Sequence, residues 1–405
     1  MFFSVLSRLG SVPVTTRKRL IWPVLMALCV MISALAAQAQ DTSQQPPANP
    51  NKQDSPPEAG GPQNDTGPYV IPKKKEEPPP PAPEKPKKIE NMPDYSIRVD
   101  VPIVTLDVSV TTKDGQTIPN LKEGNFKILE DGTPQKIASF NQTQGPITAV
   151  LLIEFAAARA FSGTQAYHYM YDALNAAYTF ASSLRKDDWV AVESYDMKPS
   201  ILVDFTQDKR SIMGALNTLR VPGFSERNLF DALFDTIDRI DRIEGKKYII
   251  LISSGADTFS KLNLDQTLKK VKSTRDTTIY AVSIGWTYRE MMDAGGRAGG
   301  ATEIGWLQND NQMSTFAKLT GGRAYFPRFQ GELPGIFQQI SDDIRHQYTI
   351  SYHPTNTKLD GSYRKLKVEL QAPEGGALKV RDQKGKEVKT IVYARDGYTA
   401  KHQVD

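Results

Sequence analysis

Short apolar runs alternate with amphipathic stretches from residue 147 to residue 345. Ala149–Ile153, Trp189–Val192, Tyr248–Ile252 and Ile279–Ile284 are the runs, each bounded by charged and turn residues. Their length and near-continuous apolar character suit strands buried on both faces of a sheet. Between them Leu229, Leu233, Ile237 and Ile240 recur at helical spacing, as do Leu264, Leu268 and Val271. Strands alternating with helices through right-handed crossovers predict an α/β domain over 146–346, with a doubly wound, mainly parallel sheet. About 200 residues is ample for one filled core.

The flanks change period. Leu106, Val108 and Val110 alternate with Thr105, Asp107 and Ser109, the pattern of a half-buried strand. Asp114-Gly115 and Asp131-Gly132 mark turns, and Phe126, Ile128, Ile137 and Phe140 supply further alternating apolar positions. Residues 96–145 therefore read as a β-rich N-terminal module of sandwich type. The segment 347–405 returns to strands at Tyr348–Tyr352, Leu366–Leu370 and Ile391–Tyr393. It is expected to pair with the first β-module.

The first 39 residues carry Arg8, Arg17, Lys18 and Arg19 and no acidic residue. Leu20 to Ala37 is nearly all apolar, and Ala37-Gln38-Ala39 is a small-x-small cleavage site, the three-part pattern of a secretory signal. An uncleaved anchor is the alternative, since 18 apolar residues just span a bilayer. Pro23 and the cleavage site favour export. Residues 40–95 form a linker: 15 of the 27 prolines fall between Asp41 and Pro93, beside Lys73-Lys74-Lys75 and Glu76-Glu77. Such a stretch buries too little apolar surface to offset the entropy of ordering and is expected to be a disordered, partly extended tether.

Removing the signal leaves 46 basic against 46 acidic residues, so the mature chain has no basic surplus for nucleic acid. The only cysteine, Cys29, leaves with it, which excludes disulfides, thiolate nucleophiles and cysteine metal sites. His168, His346, His353 and His402 show no metal spacing. Leu251-Ile252-Ser253-Ser254-Gly255 lacks the first glycine of a nucleophile elbow. Gly295-Gly296-Arg297-Ala298-Gly299-Gly300 has no following Lys-Ser/Thr pair and is not a P-loop. With Met291, Met292 and Ala294 it reads as a mobile insertion. Asp235, Asp238 and Asp241 are spaced as a solvated helix face rather than a calcium loop.

Several short motifs occur in a fixed order. Asn120-Leu121-Lys122-Glu123-Gly124-Asn125-Phe126 and Glu130-Asp131-Gly132 precede the α/β region; Gln347-Tyr348, Gly361-Ser362-Tyr363-Arg364 and Arg395-Asp396-Gly397-Tyr398 follow it. Over about 97–400 this order resembles the bacterial von Willebrand factor A-related family of exported proteins. The resemblance implies a Rossmann-like A domain with a metal-ion-dependent adhesion site at the carboxyl edge of its sheet. There a divalent cation is held by Asp-x-Ser-x-Ser after the first strand, a Thr on a second loop and an Asp after the fourth strand. Such a cation often takes a carboxylate from the ligand.

This chain departs from that pattern at nearly every ligand. The first motif reads Glu154-Phe155-Ala156-Ala157-Ala158, in which only Glu154 offers side-chain oxygen. Arg227 stands at the Thr position, and Ser225 substitutes only if the loop slips by two residues. Ser254 stands where the metal Asp belongs, with Asp257 three residues on. The resemblance with these departures implies a degenerate site without metal or other cofactor. The Arg227 guanidinium is expected near the cation's place, paired with Glu154, Asp257 or both. The bland alternative puts the three charges separately in water, a surface pair worth about 1 kcal/mol at most.

The expected function is an exported, non-catalytic protein-interaction module of the periplasm, outer envelope or medium, with a protein partner in the cell envelope. Membrane contact would come only through a retained N-terminal segment. The alternatives are a cation-dependent adhesin using Glu154, Ser225 and Ser254, and an undetected hydrolase.

Overall fold

The computed structural model describes residues 102–142, 145–156, 167–220, 226–297, 299–381 and 385–402. The signal segment, the Pro-rich linker, Ala158 and Ser225 lie outside these residues. Among the described residues, no helix is long and apolar enough to cross a membrane.

The chain enters through β1 (Val104–Thr112), β2 (Phe126–Glu130), β3 (Thr133–Gln135) and β4 (Ile137–Gln142) before the α/β region begins at β5 (Thr148–Glu154). Helix α1 (Tyr167–Ser183), β6 (Trp189–Tyr195), β7 (Pro199–Thr206), α2 (Lys209–Thr218) and α3 (Leu229–Ile240) follow. Next come β8 (Lys247–Ser253), α4 (Leu264–Ser273), β9 (Thr277–Ser283), α5 (Trp286–Ala294) and α6 (Ala301–Thr320). The short β10 (Ala324–Tyr325) and α7 (Leu333–Arg345) close the region.

The central sheet runs β10-β9-β8-β5-β6-β7. All neighbours are parallel except β6 and β7. This is the expected doubly wound, mainly parallel sheet, with an antiparallel edge added. Alternation along each inner strand sorts side chains onto two faces. Ala149, Leu151 and Ile153 of β5, with Tyr248, Ile250 and Ile252 of β8, pack under Ala173, Ala177 and Phe180 of α1 and Phe337 and Ile340 of α7. Val150, Leu152, Ile249 and Leu251 face the other way, against Leu229, Leu233 and Ile237 of α3 and Met313 and Phe316 of α6. Strands apolar at every position are what such a two-sided core requires.

Met291, Met292 and Ala294, read with the glycine-rich stretch as a mobile insertion, are instead helical in α5; the next helix, α6, begins at Ala301. Arg289 and Asp310 lock the two helices by paired contacts at 2.8 Å. Met292 and Trp306 pack against the core. Asp238 and Asp241 face Lys270 across from α4 at 2.9 and 3.1 Å.

After the α/β region the chain supplies β11 (Tyr348–Tyr352), β12 (Tyr363–Leu370), a hairpin of β13 (Val380–Arg381) and β14 (Glu387–Val388), then β15 (Thr390–Tyr393) and β16 (Gly397–Thr399). These strands interleave with the first four. One sheet runs β15-β1-β11-β4 and the other β16-β12-β2-β3. Leu106, Val108 and Val110 meet Ile128, Ile350, Leu366 and Val368 in a shared core. Strands from both sides of the α/β region thus form a single sandwich.

Candidate functional site

Parallel strands deliver their last residues to one edge of the sheet, where doubly wound folds hold ligands. Here β5, β6 and β8 end in Glu154, Tyr195 and Ser253, with Glu154 in register with Tyr195. Glu154 is 1% exposed, so its carboxylate needs partners. It has them. Ser253 Oγ donates to Oε2 at 2.9 Å, and the Ser254 amide N–H donates to the same oxygen at 2.8 Å. The Ser254 hydroxyl is 2.8 Å from both oxygens. Tyr195 donates to Ser253 Oγ at 2.8 Å and lies 3.3 Å from Oε2. Burial drives the Tyr195 hydroxyl well above its usual pKa, which keeps it a donor.

Arg227 completes the cluster. Its Nε lies 3.1 Å from Glu154 Oε1, although the N–H is not aimed at that oxygen. The contact is therefore electrostatic more than directional. The guanidinium carbon sits 5.1 Å from the centre of the Tyr169 ring, a cation–π distance. Burial pushes the Tyr169 hydroxyl up to about 12, against the opposing pull of the Arg227 charge.

Backbone bonds from both sides fix the loop carrying Arg227. Its amide donates to Thr258 Oγ1 at 2.7 Å, and the Thr258 amide donates back to its carbonyl at 2.9 Å. Asn228 binds the segment after β6 through its amide to Asp196 O and its side chain to Met197 O. Tyr169 is held in turn by Gly285, whose φ of +94° suits glycine. A Cβ there would lie 2.3 Å from the tyrosine ring.

Asp257 is not part of the pair. Its Oδ1 accepts from the Phe230 amide at 3.1 Å and from Ser260 Oγ at 2.5 Å. Asn228 occupies the N-cap position of α3 without a side-chain cap bond, and Asp257 supplies that bond from the neighbouring loop. The expectation that Arg227 pairs with Glu154, Asp257 or both resolves to Glu154. Ala156, 2% exposed, brings a methyl group to the edge.

A second buried carboxylate lies one turn along α1 from Tyr169. Asp172 Oδ2 accepts from the amides of Gly285 at 3.2 Å and Thr287 at 3.3 Å, and Oδ1 from Thr287 Oγ1 at 2.7 Å. It caps the start of α5. Burial raises its pKa to about 6, against the lowering effect of those hydrogen bonds.

The donor set does not fit a divalent ion. Mg²⁺ and Ca²⁺ take hard oxygen ligands. Among the described residues, the positions matching the family's ligands offer one carboxylate already occupied by hydroxyl and amide donors, a methyl group at 156, a guanidinium at 227 and the Ser254 hydroxyl bound to that carboxylate. Among the described residues, no group of three or more His, Cys, Asp or Glu could hold a metal.

Glu154, Arg227 and Ser254 were legible from the sequence, and the structure brings them together. Ser253, Tyr195 and Tyr169 were not singled out for this cluster. Strand alternation could have found Ser253, since it is the first polar residue after the fully apolar run of β8.

No family model and no curated protein matches the chain. Solved structures do. A von Willebrand factor type A structure from Catenulispora acidiphila shares 10% identity at TM-score 0.36, with 72% of this chain and 74% of that one covered. The vWF domain of the type V pili tip protein Mfa5 of Porphyromonas gingivalis shares 11% identity at TM-score 0.36, over 50% and 95% of the two chains. Proximal thread matrix protein 1 of the mussel byssus shares 10% identity at TM-score 0.37, over 50% of this chain. The match spans about half, 49%, of the length of that mussel protein.

Proposed function

We propose that the chain is an exported, non-catalytic protein-interaction module of the von Willebrand A type, which engages a protein partner at the carboxyl edge of its sheet without a bridging metal. One observation carries the reading: the Glu154 carboxylate is consumed internally, by Arg227 and by Ser253 and Ser254. A group so engaged is a poor ligand for a cation, and the partner is selected by protein surface alone. The leader-like first 39 residues support export, and the proline-rich stretch after them supports a tethered role. The Ser253 and Ser254 hydroxyls both donate to the Glu154 carboxylate, which Arg227 also faces.

The test is a thermal-shift titration of the full chain with Mg²⁺, Mn²⁺ and Ca²⁺. A ligand that binds the native state raises the melting temperature by mass action. The expected result is no shift at millimolar cation. A saturable rise that Glu154→Gln abolishes would replace this reading with a cation-dependent adhesin.

A further inference from the structure

The opposite, amino-terminal edge of the α/β domain carries a cavity that the carboxyl-edge reading does not use. Strand β15 pairs with β1 only over Ser109–Thr112, while β11 covers Val104–Val108 from the other side. On the flank away from β11, the first half of β1 therefore has no strand partner among the described residues. A cavity of about 570 Å³ opens beside it, lined by Val104 and Thr105 of β1, by Thr274–Asp276 after α4, and by the loop 356–359. Residues Tyr398 to His402 form the remaining wall.

The lining is cationic. Lys272, Arg275, Lys358 and Lys401 border it, and none has a carboxylate partner among the described residues. Lys272 lies 5.5 Å above the Tyr363 ring. Two further arginines are already satisfied: Arg364 pairs with Glu130, and Arg395 donates to the carbonyls of Thr274 and Arg275. Opposing charge is small. Asp276 lines the cavity and acts on Arg395, and Asp360 pairs backbone to backbone with His402 near the wall. Ile103, 61% exposed, and Leu359, 40% exposed, add apolar surface at the mouth.

An unpaired strand flank, unneutralised lysines and exposed aliphatic side chains meet in one cleft. An extended peptide meets all three demands: its backbone pairs with the strand, and alternate side chains meet the cations and the apolar mouth. We propose that this cleft binds an extended acidic segment of a protein partner, added as a strand beside the start of β1 at Val104 and Thr105, with its carboxylates toward Lys358 and Lys401. Charge complementarity selects an acidic sequence, and strand addition selects an extended one. The site is separate from the Glu154–Arg227 cluster and stands whether or not that edge binds anything.

The test uses the full chain and a fluorescent, end-blocked peptide of alternating Val and Glu, read by anisotropy. Comparison probes are the same peptide N-methylated at every second residue, a Val/Lys peptide and a sulfated polysaccharide. Saturable, salt-sensitive binding of the Val/Glu peptide is expected. N-methylation, which removes backbone donors without changing charge, should weaken it about tenfold or more, as should Lys358→Glu with Lys401→Glu. Both lysines are exposed, so the double variant should melt like the parent. No binding of the Val/Glu peptide would overturn the proposal. So would equal binding of the N-methylated probe, binding of the polysaccharide alone, or unchanged binding by the double variant. Self-association that the double variant abolishes in the absence of peptide would give the cleft to a second copy and overturn it as well.

Discussion

Among the buried glutamates that meet an arginine in the described residues, Glu130 and Glu154, each 1–2% exposed, do so in different ways. In the sandwich, Glu130 accepts from Tyr352 at 2.6 Å and Tyr398 at 3.0 Å, and Arg364 Nη1 lies 3.3 Å away. Arg364 is 3% exposed and also donates to the carbonyls of Asn356 and Lys358. It ties the 356–358 loop to β2. At the carboxyl edge, Arg227 is 14% exposed, rests on one face of Tyr169 and touches Glu154 without an aligned N–H. Hydroxyls and an amide, rather than the arginine, satisfy most of Glu154. The same two residue types form a structural clasp in one region and a loosely seated charge at the carboxyl edge of the sheet in the other.

The comparison is tested most strongly by making the same substitution at both arginines. Arg364→Met removes the cation beside buried Glu130 and the donor to two loop carbonyls. It should cost about 3–5 kcal/mol by chemical denaturation, the range for breaking a buried pair. A loss below about 1 kcal/mol would show that the two tyrosines suffice.

Asp172 extends the contrast to a buried carboxylate held by neutral donors alone. Its folded pKa of about 6 lies above the ordinary carboxylate value near 3.9. Between those values the folded state binds more protons than the unfolded chain, so stability falls as pH rises through about 4 to 6 and is flat above. The difference in unfolding free energy between the parent and Asp172→Asn should change by on the order of 3 kcal/mol across that window, in the direction of a weakening parent. A pH-independent difference would remove Asp172 from the account.

Arg227→Met should cost only about 1–2 kcal/mol, because Glu154 keeps its hydroxyl and amide donors. A loss as large as that of Arg364→Met would erase the distinction between the two sites. Ser253→Ala is smaller still, about 1 kcal/mol, since the Tyr195 hydroxyl at 3.3 Å can turn to Glu154 directly.

Much of the fold was legible because burial on both faces leaves little choice of residue. The runs Ala149–Ile153 and Tyr248–Ile252 fall inside β5 and β8, and Leu229 and Ile240 are the first and last residues of α3. Strand β7 was missed because an edge strand half open to water, with Ser200 and Asp204 among its residues, has no continuous apolar run. The helix α5 was missed because Met291 and Met292 stand next to six residues rich in glycine, which read locally as a loop. At the site, the loss of oxygen ligands at 156 and 227 was visible one position at a time. Which carboxylate Arg227 would meet was not, since Glu154 and Asp257 carry the same charge and both lie at or just beyond the carboxyl ends of strands.

By itself the sequence determined composition-level facts and periodic ones: equal basic and acidic counts and no cysteine after residue 39, inner strands with two apolar faces, and Ala156 and Arg227 at positions without side-chain oxygen. Tertiary structure alone decided the pairings. Asp257 was drawn away by the free amide of Phe230 at the start of α3, leaving Arg227 to Glu154. Likewise, β15 parts from β1 at Ser109 and leaves a cleft that no local pattern announces. Periodicity records which face a side chain turns inward, whereas ion pairs and strand ends depend on residues far apart in the chain meeting in space.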